Sequence, residues 1–224
     1  MKNFLFISSL LISISSTNLF AQNFKIQLPP GYNKIITQEE LPGKEGSPYL
    51  TEVWAPGIIT LQSGAKIESL QFRYNVYSKE IQYKLDTTTY VIGTPDSIKT
   101  ISFANKHFIY TDFVENFKIK KDFFELLVDG KAKLFRRYFI EIIPANYNIA
   151  LSTGNKNDRL VLRESLFVQS PNMDMIELDK KGKLILKAFS DKSAEINEYI
   201  RKEHLSLKNL NDLIKITTTY NSMN

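Results

Sequence analysis

Residues 70–92 read LQFRYNVYSKEIQYKLDTTTYVI, and their alternation decides the fold. In the first half Leu70, Phe72, Tyr74 and Val76 fall on one side of an extended backbone, with Gln71, Arg73 and Asn75 on the other. A strand buried on one face and wet on the other needs that pattern. Ser78-Lys79-Glu80 interrupts it, and Ile81, Tyr83 and Leu85 restart it. Asp86 and Thr87 make a turn, and TTYVI (88–92) returns. The segment predicts an antiparallel meander.

The same period extends in both directions. Upstream, GIITLQSGAKIESL (57–70) reads as two strands turning at Ser63-Gly64. Downstream, IKTISF (98–103), HFIYTDF (107–113) and DFFELLV (122–128) continue the meander. VDGK (128–131) is a hairpin signal, because Gly130 supplies the positive φ of a tight turn, and KAKLFRRYFIEII (131–143) is the returning strand, ended by Pro144. GSPYLTEVWAPG (46–57) is expected to be a short edge strand or a loop, since Pro48 and Pro56 cannot donate to a ladder. PANYNIALSTGNKNDR (144–159) has no period and reads as a long loop. LVLRESLFVQ (160–169) and MIEL (175–178) form one more hairpin around SPNMD.

The end of the chain changes to a helical period. Ile196, Tyr199 and Ile200 share one helical face, as do Leu207, Leu210, Leu213 and Ile214. Ser190 and Ser206 are the expected N-caps, with Asp191 placed to favour the helix dipole. Residues 183–189 fit either period and are assigned to helix with their neighbours. The expected fold is α+β: an antiparallel β meander forming a roll or partly closed barrel, followed by two or three C-terminal α-helices. The expected divisions are a signal peptide at 1–21, an extended N-terminal arm at 22–46 rich in Pro and Gly, an antiparallel β domain at 47–180, and a C-terminal helical segment at 181–224 packed on it.

Four segments carry a resemblance. GSPYL (46–50), FRYNVY (72–77), DFFELLVDGKAKLFRRY (122–138) and DKSAEINEYIRKEHLSLKNLNDLIKITTTYNS (191–222) are similar to those of a family of uncharacterised exported bacterial proteins. The resemblance implies export and this overall layout. It implies no activity, substrate or site residue.

The residues themselves also point to export. Lys2 precedes the apolar run FLFISSLLISI (4–14), and a small residue, Ala21, precedes the expected cut before Gln22. That run is too short to span a membrane, which takes about 20 residues. The chain is therefore expected to leave through a Sec signal and to reside in the periplasm or outside the cell, with no transmembrane segment in its mature part. With no cysteine in the sequence, disulfides, thiol nucleophiles, Cys-ligated metal and a bacterial lipoprotein anchor are all excluded. Once Lys2 is removed, 28 basic and 24 acidic residues remain, scattered rather than striped, which argues against a nucleic-acid partner.

No catalytic pattern appears. His107 and His204 are the only imidazoles, each without a second ligand at metal spacing, and both are expected on the surface. There is no GxSxG and no phosphate-binding glycine pattern. The acidic pairs Glu39-Glu40, Asp112 with Glu115, and Asp122 with Glu125 are expected in loops or at strand ends. No cofactor or metal is expected, and the protein is not expected to be an enzyme.

Recognition chemistry remains. Tyr49 and Trp54 lie in the Pro/Gly-bracketed segment, and such side chains carry large contact area at low entropic cost. Trp54 would equally serve as a core anchor. Arg73, Asn75 and Tyr77 share the polar side of their strand and are expected to line a groove with Arg136 or Arg137. The leading expectation is a non-catalytic exported protein acting through protein contacts in the cell envelope. The alternatives are a module binding a lipid, sugar or peptide inside the roll, and, behind it, a carboxylate-based hydrolase. N-terminal sequencing of the mature protein is expected to begin at Gln22 or within a residue or two of it. Recovering Met1 from envelope protein would make the apolar run an anchor.

Overall fold

The computed structural model describes residues 33–35 (backbone only), 43–85, 87–171 and 173–223. The signal segment, most of the 22–46 arm and the turn residue Asp86 lie outside the described residues. The strands are β1 (Asn33–Ile35), β2 (Lys44–Glu45), β3 (Ala55–Leu61), β4 (Lys66–Asn75), β5 (Glu80–Leu85) and β6 (Thr88–Ile92), then β7 (Ile98–Phe103), β8 (Lys106–Glu115), β9 (Lys118–Val128), β10 (Lys133–Ile143), β11 (Asp158–Ser170) and β12 (Met173–Glu177). Three helices follow: α1 (Leu184–Ala188), α2 (Ser193–Lys202) and α3 (Leu210–Ser222). No helix among the described residues is long and apolar enough to cross a membrane.

All strands join one mixed sheet in the order β1-β6-β5-β4-β3-β7-β8-β9-β10-β11-β12, with β2 added in parallel to the start of β11. Every other pairing is antiparallel. From β3 onward the one jump carries the chain from β6 to β7, on the far side of β3. So β3 is an inner strand, although it holds Pro56 and begins at the end of the segment expected to be an edge or a loop. It tolerates the proline because the ladder with β4 is bulged just beyond, between Gly57 and Ile59. At Gly57 a Cβ would sit 2.3 Å from the Ser102 carbonyl oxygen and 2.7 Å from the Phe72 ring. Phe72 and Phe103 stack across that gap at 5.7 Å.

The sheet curls but does not close into a barrel. Four strand spacings separate β4 from β9, about 19 Å along a flat sheet. Yet the Tyr74 ring lies 5.7 Å from Phe108 and 5.9 Å from Phe123, edge to face. The concave side holds the alternating residues read from sequence: Leu70, Phe72, Tyr74, Val76, Ile81 and Tyr83 are all buried, with Ile59, Ile101, Phe103 and Phe108. The N-terminal arm demands the same curl. Its β1 pairs β6 near one rim, and its β2 pairs β11 near the other. The nine chain steps from Ile35 to Lys44 reach about 32 Å at most, whereas eight spacings of a flat sheet would separate β6 from β11 by about 38 Å.

The convex side of β8–β11 is also buried. There Phe113, Phe124, Phe135 and Phe167 pack edge to face, with Phe124 and Phe167 at 5.1 Å. The helices cover the neighbouring end of the sheet, where Ile185, Phe189, Ile196, Leu213, Ile216 and Tyr220 meet Ala132, Leu134 and Val168. Tyr199, Ile200, Leu207 and Ile214 pack at the margin. Asn221 of α3 clips the β9–β10 turn: its side chain accepts from the Ala132 N–H at 2.7 Å and donates to the Ala132 carbonyl at 2.9 Å.

The expected caps are displaced. Asn209 caps α3, accepting from the Asp212 N–H, while Ser206 sits in the preceding turn and accepts from the Lys208 N–H. Ser190 opens a short 3-10 turn, and α2 begins at Ser193 without a side-chain cap. α1 and α2, which carry no side-chain cap, are held by burial, and α3 by burial together with its Asn209 cap. Ile216→Ala is expected to destabilise the protein by about 2–5 kcal/mol through the cavity it leaves. Chemical denaturation checks it, and an unchanged midpoint would mean that the helices do not contribute to the core.

Candidate functional site

Three features of the surface bear on function, and the first is a fork in the sheet. β9 and β10 pair from Val128–Leu134 to Phe124–Arg137, and there the ladder ends. β9 runs on to Lys118 paired with β8, and β10 runs on to Ile143 paired with β11. Beside the fork lies a cleft of about 440 Å³ lined by Val76, Tyr77, Lys79, Glu115, Arg137 and Phe139, among others.

A buried ionic cluster pins the fork. The Asp122 side chain is fully buried (0% exposed). It accepts from the Arg137 Nε–H at 2.9 Å, the Phe123 N–H at 2.9 Å and the Tyr74 hydroxyl at 3.5 Å, with Lys79 Nζ also 3.5 Å away. Arg137 Nη1 donates to Glu115 on β8 at 2.6 Å, and its guanidinium lies over the Phe113 ring. Burial, with the Asp122 charge beside it, raises the Tyr74 pKa well above 10. Hydrogen bonds from Lys120 and Arg137 draw the Glu115 carboxyl down from 4.5 to about 2.

A second cluster lies three residues along β9, on the other face. Glu125 accepts from the Tyr138 hydroxyl at 2.6 Å, Arg136 Nε at 2.9 Å and Lys106 Nζ at 3.1 Å. Burial pushes the Glu125 carboxyl up, but these bonds outweigh it and leave the pKa below its usual range. The acidic pair expected in a loop or at a strand end thus occupies the middle of β9. Glu125 stands opposite Arg136 because the connection spans residues 129–132 and the ladder is bulged between Leu134 and Phe135. A count from a two-residue turn at Asp129-Gly130 would have placed Leu134 there, so the sequence did not announce the second cluster.

The second feature is a ladder of cations and rings on the outer side of β4 and β5. The Arg73 guanidinium lies 3.6 Å from the Tyr49 ring centre and 4.6 Å from Trp54, and Lys84 lies 4.6 Å from Trp54. Gln82 accepts from Arg73 Nη2 at 2.9 Å. Of the residues singled out from sequence, the structure thus gathers Tyr49, Trp54 and Arg73 here, and Tyr77 with Arg137 at the cleft. Asn75 is buried, pairs with Tyr49 through the backbone, and its Oδ1 accepts from the Ser78 N–H, which holds the turn. Arg136 belongs to the Glu125 cluster and to a pair with Glu164.

The third feature is the β8–β9 fingertip. Asn116 and Phe117 form its two-residue turn with φ of +53° and +61°. Such turns favour Asn-Gly, because a side chain in left-handed backbone costs about 1–2 kcal/mol. Here the position carries a phenylalanine whose side chain is fully exposed (101%). Behind it Val114 and Ile119 oppose each other across the hairpin, 60% and 78% exposed. No sequence pattern marked these three residues, since alternation alone cannot tell a covered strand end from a bare one.

Catalytic groupings are sparse among the described residues. His107 Nδ1 and Ser102 Oγ lie 2.8 Å apart on facing strands, His107 exposed and Ser102 half-buried, with no carboxylate bonded to the imidazole among the described residues. His204 is exposed just after α2. Among the described residues no three His, Asp or Glu side chains group as a metal site. No family model, curated protein or solved structure matches the chain.

The depressed Glu115 pKa makes acid stability measurable. A carboxyl whose folded pKa lies below 4.5 contributes stability above that pH, and the contribution disappears as pH falls toward 2. Glu115→Gln is expected to lower the melting temperature at pH 7 and to flatten its decline between pH 4.5 and 2. Thermal scans across that range check it. An acid limb identical to wild type would remove Glu115 from the network.

Proposed function

We propose that the chain is an exported, non-catalytic protein that acts by contact with another protein in the cell envelope. The bare fingertip carries this reading. A bulky ring is kept in strained backbone, facing water, next to two more exposed apolar side chains. Strain of this kind is retained where a side chain has work outside the fold, and clustered exposed apolar residues mark contact sites.

Two further features support it. The roll is packed by Phe72, Tyr74, Ile81, Ile101 and Phe108, each at 0% exposure, whereas a module carrying a lipid or sugar inside needs that space empty. The N-terminal sequence, Lys2 followed by the apolar run 4–14 and Ala21, has the form of an export signal.

Phe117→Asn is the direct test, since asparagine tolerates left-handed backbone. Its melting temperature is expected to be unchanged or slightly higher. Quantitative cross-linking in intact cells is expected to show at least about a fivefold loss of the partner captured by wild type, equivalent to the 1 kcal/mol of a contributing contact. Equal capture by both proteins would remove the fingertip from the interface.

A further inference from the structure

The fork leaves two strand flanks facing each other in the body of the sheet. On one side are residues 118–123 of β9, on the other residues 138–143 of β10, and no ladder joins them. Main-chain N–H and C=O groups along such a flank form a template for another strand. The two flanks differ in how they are guarded. That of β9 reads KIKKDF, and its three lysines are the device by which proteins blunt an edge. That of β10 reads YFIEII, with Glu141 its only charge. Its side chains offer apolar surface on both faces of the sheet: Phe139 and Ile140 are half-buried, and Ile142 is 42% exposed. Phe139, Ile140 and Ile142 also line the cleft, so the bare flank opens onto space rather than onto packed side chains.

We propose that residues 138–143 of β10 accept an extended segment of a partner polypeptide, which adds as a strand beside the cleft. Main-chain bonds supply the affinity in this mode of recognition, and alternate side chains supply the selectivity. The segment that fits is apolar on both faces where it passes Ile140 and Ile142. It carries acidic residues at its ends, because Lys79, Lys118, Lys120 and Lys121 stand around the fork. Asp122, Glu115 and Asp96 pair with Lys79, Lys120 and Lys121, while Lys118 at the outer end is exposed. Arg137 keeps the acceptor in place without a ligand, because it is bonded to Asp122 and Glu115 across the mouth of the fork.

This inference rests on the reading of the protein as one that works by protein contact, but it concerns a different surface from the fingertip. The probe is a labelled ten-residue peptide of alternating valine and threonine with glutamate at both ends, added to the mature protein. Hydrogen exchange is expected to slow at alternate amides of 138–143 by at least about tenfold when the peptide is bound. Ile142→Lys is expected to weaken peptide binding by at least about tenfold while the melting temperature stays within about 2 °C of wild type. Binding without protection of β10, binding indifferent to Ile142→Lys, or no binding at about 1 mM peptide would each overturn the proposal. So would full protection of those amides before peptide is added, since the flank would then already be covered. Phe117→Asn separates the two readings, because it should bind the peptide as wild type does. A peptide that fails to bind while fingertip capture persists would sink the acceptor strand alone.

Discussion

A carboxylate taken out of water must be paired and hydrogen-bonded, or it does not stay charged. Asp122 meets that condition with groups from three further parts of the chain: Tyr74 of β4, Lys79 of the β4–β5 turn and Arg137 of β10, in addition to the next backbone N–H. The roll is therefore joined across its seam by side chains. Because Arg137 also reaches Glu115, one guanidinium connects β8, β9 and β10 where the β9–β10 ladder stops. Taking away one partner of a buried pair usually costs about 3–5 kcal/mol, since the other charge is left stranded. The opening in the sheet is thus as firmly specified as the sheet itself.

The clusters on either side of β9 explain why that strand was hard to read. Its central residues, Asp122, Phe123, Phe124 and Glu125, are all buried, because the concave core covers one face and the phenylalanine cluster the other. Alternation reports burial only when one face is wet. In β4 that holds, and Phe72, Tyr74 and Val76 went to the core as their spacing implied. The Gly130 hairpin and the C-terminal helices were equally legible, from turn chemistry and from the 3.6-residue period. Helix starts were not: Ser190 and Ser206 have the right chemistry, but docking of Leu207 and Leu205 on the core sets where α3 can begin. The inner position of β3 was hidden too, since nothing local announces that β7 returns to its far side. Among the candidate site residues, Tyr49, Trp54 and Arg73 are neighbours through a strand face and a loop laid over it. Tyr77 and Arg137 meet only through the curl of the whole sheet, a relation that no local spacing records.

The functional reading follows from what the fold leaves uncovered. A packed roll, two buried ion clusters and a docked helical layer account for most of the large side chains. Besides Val53, Ile149 and Leu151 in loops, Phe117, Val114 and Ile119 remain outside that account, as does the flank of β10. Both belong to the end of the sheet at which β9 begins and β10 finishes, and the hairpin that carries the fingertip also forms one bank of the fork. A partner reaching one of them would pass close to the other.

The N-terminal arm has a consequence for the order of events in folding. Lys44 and Glu45 pair with Asp158 and Arg159, more than a hundred residues later in the chain. A chain that emerges N-terminus first can form the β3–β6 meander and the β8–β9 hairpin from local contacts as it appears. The arm must wait until β11 has been delivered, and contacts so distant in sequence are slow to form because their loop-closure entropy is paid before they are rewarded. Until then the curl is held by the concave core and the Asp122 cluster alone, and the start of β11 lacks its parallel partner. Completion of the roll is therefore a late event gated by the second half of the chain, and a chaperone that shields strand edges would find its substrate in that interval.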